Sequence, residues 1–109
     1  MYVDDCVEGL VRLMASQHRE ALNLDTDEMV SINHLVDMIC EIAGKKLTKV
    51  HDRSKPQGVR GRNSDNTLMR KILGWEPSLP LEKGLAITYK WIASEVKKKE
   101  AAELAVAGD

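Results

Sequence analysis

The chain has 109 residues, enough for one small domain with a modest core. It is 43% hydrophobic and 30% charged, and 16 Lys and Arg against 17 Asp and Glu leave a net charge of −1. That balance argues against nucleic acid or an anionic membrane as the main partner. No apolar run nears the ~20 residues of a membrane-spanning helix, and the acidic start "MYVDDCVEGL" lacks the basic-then-apolar layout of a secretion signal.

In chain order, Asp4 or Asp5 can cap a first helix, in which Val7, Leu10, Val11 and Met14 fall at helical spacing. "ALNLD" (21–25) is short and partly alternating and reads as a strand. Ser31 is a good N-cap for a second helix with Ile32, Leu35, Val36, Ile39 and Cys40 on one face, and Gly44 supplies its stop. "KLTKVH" (46–51) reads as a second strand, followed by a polar loop over 52–63. Ser64 can cap a third, short helix holding Leu68, Met69, Ile72 and Leu73 and ended by Gly74. "GWEPSLP" is a rigid connector in which two prolines prevent helix and Trp75 packs back on the core. The last helix starts near Leu81, with Leu85, Thr88, Tyr89, Ile92 and Val96 as its expected buried stripe. It runs into a tail where Lys97 to Lys99 face Glu100 and Glu103 as a solvated, ion-paired surface.

The expectation is therefore a helix-rich α/β (α+β) fold with about four helices and two short strands. Two strands make a poor sheet alone, a first sign that the chain belongs to something larger.

Little in the sequence suggests independent chemistry. His18, His34 and His51 are far apart, and none has a second His or a Cys at helical spacing, so no metal site is expected. "DTDE" (25–28) lacks the glycine and distal glutamate of a calcium loop and reads as a turn. Cys6 and Cys40 form no C-x-x-C pair and sit in apolar helical patterns, as reduced core thiols of a cytosolic, cytoplasmic protein would. Cys6 has no nearby His to activate it as a nucleophile. There is no G-x-x-G-x-x-G run, no P-loop, and no Tyr followed four residues later by Lys.

The exception is "GVRGRNSDNT" (58–67). Arg60 and Arg62 offer planar multi-donor groups to phosphate oxygens. Gly58 and Gly61 allow close backbone approach, and Asp65 can accept hydrogen bonds from ligand hydroxyls. An equally simple reading is a polar connector whose arginines pair with local carboxylates while Ser64 and Asp65 cap the next helix.

The order of the pieces carries a resemblance. "YVDDCVEGLVRLM", "ALNLDTDEMVSINHLVDMICEIAG" and "VRGRNSDNTLMRKILGWEPSLPLEKGLAITYKWI" together resemble the C-terminal, substrate-binding part of the extended short-chain dehydrogenase/reductases, the NAD-dependent nucleotide-sugar epimerases and dehydratases. The likeness runs over residues 2 to 95. It rests on the "VDD" start, Asn23–Leu24, Arg62 to Asp65 as R-x-x-D, "LGWEP" at 73–77, and Leu81 to Gly84 with Trp91 beyond. "DEMVS" with "GVRGRNSDNTL" resembles most the branch that epimerises a GDP-mannose-type sugar at C3 and C5 after transient oxidation at C4.

The resemblance implies that Arg62 binds the nucleotide diphosphate, with Arg60, Asn63 and Asp65 as neighbours lining the same cleft. Residues 1–98 would be the substrate lobe and 99–109 a charged, fraying tail. Catalytic residues, including a cysteine to which Cys6 does not correspond, and the whole NAD site would lie in a Rossmann half outside this sequence. The lobe alone is then expected to be inactive and to bind no NAD. Its exposed docking face would meet the missing half or another copy of itself. A UDP-sugar 4-epimerase or dehydratase lobe, and a free-standing nucleotide- or protein-binding module, are the competing readings.

Overall fold

The computed structural model describes residues 1–107 and contains four helices, α1 (Val3–Ala15), α2 (Ile32–Ala43), α3 (Thr67–Leu73) and α4 (Leu81–Ala107). Among the described residues there is no strand, so the expected α/β class with two short strands is corrected to an all-helical one. The reason lies in backbone pairing. Segments 21–25 and 46–51 make no ladder with each other, and the nearest approach to one is a single bond from the Ser64 N–H to the Thr26 carbonyl at 3.1 Å. An extended segment without a neighbour to exchange hydrogen bonds is not a strand, however well its residues alternate.

Helix boundaries follow local chemistry. Ser31 caps α2, its hydroxyl accepting the His34 N–H at 3.1 Å, and Gly44 ends the helix in the left-handed conformation at φ 64°. Gly74 does the same for α3 at φ 57°. At two starts the structure differs from the expectation. Tyr2 occupies the N-cap of α1, leaving Asp4 and Asp5 in the first turn, where carboxylates suit the helix dipole. Asn66 rather than Ser64 precedes α3, and the Asp65 carboxylate takes the Thr67 N–H at 2.9 Å. For α4, Pro80 offers no side-chain acceptor. Glu28 reaches across from another part of the chain and accepts the Leu81 N–H at 3.0 Å. Beyond the body, α4 continues with exposed pairs Lys98–Glu95 and Lys99–Glu103.

The packing is thin. Helix α2 lies against α4. Trp75 folds onto Gly9 of α1, where an added Cβ would sit 2.8 Å from Cζ3 of the indole, and Leu24 closes the same spot. Arg12, held to Glu8, lies over the Trp75 ring at 5.8 Å. Tyr2 covers Gly84 of α4. Among the described residues Met69 is the sole fully buried large apolar side chain. The expected inward stripe of α4 is displaced, and α1 turns its periodic apolar residues outward. On α1, Val7, Leu10, Val11 and Met14 all face solvent, while Cys6, Gly9 and Leu13 face inward. On α4, Leu81, Leu85, Tyr89 and Ala93 are half-buried, while Thr88, Ile92 and Val96 are exposed. Cys6 and Cys40 are free and half-buried rather than core residues.

The accessible surface is 9198 Å², against about 6,000 Å² for a compact monomer of this mass. The radius of gyration is 18.8 Å, against about 13 Å for a compact chain of this length. Two features accompany these excesses: apolar helix faces that nothing among the described residues covers, and a 27-residue α4 that outruns its support. No helix of the described residues is long and apolar enough to cross a membrane.

Candidate functional site

The loop 58–66 crosses a second irregular stretch, 16–31, and the crossing builds a cleft. Gly61 passes against Met29, and a Cβ there would lie 2.7 Å from its sulfur. The Asn63 side-chain amide donates to the Asp27 carbonyl at 3.2 Å, and the Ser64 N–H to that of Thr26. These contacts fix the loop against residues 26–29, next to the 23–25 segment. The result is an open cleft of about 400 Å³ lined by Asn23, Leu24, Asp25, Arg62, Asn63, Ser64 and Asp65.

Of the residues singled out from sequence, the cleft brings together Arg62, Asn63 and Asp65. Arg60 is exposed and is not among the lining residues. Arg62 makes no ion pair among the described residues, so its donors remain available. Asn63 is a brace as much as a liner, because its amide is committed to Asp27. Asp65 is exposed but turned onto Thr67, whose side chain first and backbone N–H second hold the carboxyl below its ordinary value of 3.8, with a weak further contribution from Arg70. Asp25 accepts its neighbour Thr26 N–H at 2.8 Å. Beneath the rim, Ser64 and Asn66 are buried, and neither the Ser64 hydroxyl nor the side-chain oxygen Oδ1 of Asn66 has a hydrogen-bond partner.

Sequence reasoning missed Asn23 and Asp25. A signal was present: two polar residues at i and i+2 interrupt the apolar residues of "ALNLD", a placement more telling for a rim than for a core strand. Chemically the cleft offers one guanidinium, two carboxylates and two side-chain amides. That mixture suits a ligand carrying both an anionic group and hydroxyls, not a bare anion. Among the described residues no group of three His, Cys, Asp or Glu is placed to hold a metal ion.

No protein-family model matches the chain. Curated proteins similar to it include GDP-mannose 3,5-epimerase of Arabidopsis thaliana, 47% identical over 100 residues, which is 92% of this chain and 26% of that protein. GDP-mannose 3,5-epimerase 1 of Oryza sativa subsp. indica is 43% identical over 107 residues, 98% of this chain and 28% of its own length. Further out stands probable GDP-L-fucose synthase 1 of Oryza sativa subsp. japonica, 32% identical over 97 residues, covering 88% of this chain and 29% of that protein. The chain is thus a homologue of the GDP-mannose 3,5-epimerases over nearly its whole length, and it spans about a quarter of theirs.

Proposed function

We propose that this chain is the C-terminal substrate-binding lobe of an NAD-dependent nucleotide-sugar epimerase acting on a GDP-mannose-type substrate. The observation that carries the reading is the cleft itself. A guanidinium without an ion-pair partner, Arg62, stands beside Asn23, Asp25 and Asp65, in a chain 43–47% identical to proteins named for that substrate. In this reading Arg62 grips the diphosphate, and the carboxylates and amides take hydroxyls or base edges. Holding these remote groups aligns the sugar for chemistry performed elsewhere in the enzyme.

NAD supplies the transient oxidation at C4 in the full-length enzyme. The described residues do not fit that cofactor, since they include no strand leading through a glycine-rich turn into a helix. In this reading NAD binding, and the inversion at C3 and C5, belong to the part of the enzyme outside this chain. The apolar residues exposed along α1 are the surface on which that part, or in its absence another copy, would seat.

The test is a titration of the ¹⁵N-labelled chain with GDP-mannose, UDP-glucose and inorganic pyrophosphate, followed by NMR. Saturable shifts at 23–25 and 62–65 are expected with GDP-mannose, with affinity at least tenfold weaker in Arg62→Ala, as loss of a charge-assisted hydrogen bond predicts (about 1.5–3 kcal/mol). A response to UDP-glucose as strong as that to GDP-mannose would favour a UDP-sugar 4-epimerase or dehydratase lobe instead. A GDP-mannose response untouched by Arg62→Ala, or none at millimolar ligand, would overturn the reading.

A further inference from the structure

The near-neutral net charge conceals a strong segregation. Residues 45–62 hold seven Lys and Arg against one Asp, a net +6. The remaining residues hold nine Lys and Arg against sixteen Asp and Glu, a net −7. All of 45–62 is exposed. Among the described residues, the one ion pair made by its seven cations is Lys49 to Asp37 of α2.

Within this stretch lies a second cavity of about 670 Å³, which shares no lining residue with the Arg62 cleft. Its walls include His51, Arg53 and Lys55. It is braced on one side by α2, through the Lys49–Asp37 pair and a 3.1 Å hydrogen bond between His51 Nε2 and Asn33 Oδ1. Asp52, the segment's one carboxylate, is spent on shaping the turn: a single oxygen accepts both the N–H and the O–H of Ser54, at 2.9 and 2.7 Å. Pro56 limits the chain's freedom on the far side. The volume falls in the range of small-molecule sites.

We propose that this cavity is a second anion site, which takes an oligophosphate group independently of the Arg62 cleft. Physiological salt screens exposed charges over ~8 Å, so the cations that count for any one ligand are those at the cavity, led by Arg53 and Lys55. Arg53 brings the forked donors suited to phosphate, and Lys55 a mobile point charge. A small anion fits better than a nucleic acid. Segment 45–62 contains no Trp, Tyr or Phe on which bases could stack, and the −7 carried by the rest of the chain repels a long polyanion.

The test uses inorganic tripolyphosphate with the ¹⁵N-labelled full chain, in the wild type, in the double variant Arg53→Glu/Lys55→Glu, and in Arg62→Ala. The exposed loop positions of Arg53 and Lys55 leave the helices intact in the double variant. Saturable shifts centred on 50–57, at least tenfold weaker in the double variant, unchanged in Arg62→Ala and weakening with added salt, are the expected result. Shifts centred on 62–65 and lost in Arg62→Ala would reduce the two sites to one and overturn the proposal. Non-saturating drift along the whole of 45–62, no response at millimolar tripolyphosphate, or tighter binding of single-stranded DNA than of tripolyphosphate would also overturn it. Because the substrate reading is tested through GDP-mannose and 23–25, either idea can fail without the other.

Discussion

Two glycines show how one missing Cβ can matter in opposite degrees. At Gly9 an added methyl would meet the indole of Trp75 at 2.8 and 3.1 Å, and a ring lodged between α1, Leu24 and Arg12 has little room to withdraw. Gly9→Ala is expected to cost about 1–3 kcal/mol, the range for overpacking, read as a lowered urea midpoint. At Gly61 the obstacle is the end of Met29, which is 61% exposed and free to swing away. Gly61→Ala should leave the midpoint nearly unchanged. Asp65 sets a pH limit at the same scale. Its folded-state value lies below 3.8, so its contribution is complete above that pH and disappears as pH falls through the folded value. Asp65→Asn, which can still accept the Thr67 N–H, should flatten the acid side of a melting-temperature profile below pH 3.8 and leave neutral pH little changed.

At the scale of elements, the helices were legible because their signals are local. Ser31 with His34, Gly44, and Gly74 act within a few residues of themselves, and each did what its residue type dictates. The strands were not legible, because a strand is a relation between two segments, and "ALNLD" and "KLTKVH" carry no information about whether a neighbour is present. The start of α4 at Leu81 was legible, but the group that caps it was hidden for the same reason. Its acceptor, Glu28, lies 53 residues away in sequence. Replacing it with Ala is expected to cost about 0.5–2 kcal/mol, as loss of a capping acceptor does. Glu28→Gln should retain most of that, losing mainly the charge–dipole part of about 0.3–1 kcal/mol. Circular dichroism during urea titration would measure both. The Arg62 part of the candidate site could be read because "GVRGRNSDNT" is dense in unusual residues. Asn23 and Asp25 join it only through the crossing of two loops, which no local pattern encodes.

For the molecule as a whole, the sequence foretold an amphipathic α1 from the helical spacing of its apolar residues. The periodicity of Val7, Leu10, Val11 and Met14 reports that the stripe is to be buried; it does not say against what. In this chain it stays in solvent, and the accessible surface is correspondingly large. The expected consequence is concentration-dependent association. Sedimentation velocity should show the average mass rising with concentration, and Leu10→Lys with Met14→Lys should return it toward 12.2 kDa. A strictly monomeric wild type at high concentration would show that the stripe tolerates water.

Glu28 has one more consequence. The short run from Thr26 to Glu28 is a splice: its carbonyls at 26 and 27 hold the cleft loop, and its carboxylate at 28 holds the first turn of the longest helix. Occupancy of the cleft and fraying of α4 are thereby tied to the same three residues. A ligand that quiets Asn63 and Ser64 should slow deuterium uptake at the Leu81 amide, which lines no part of the cleft. That amide would then serve as a remote gauge of ligand occupancy.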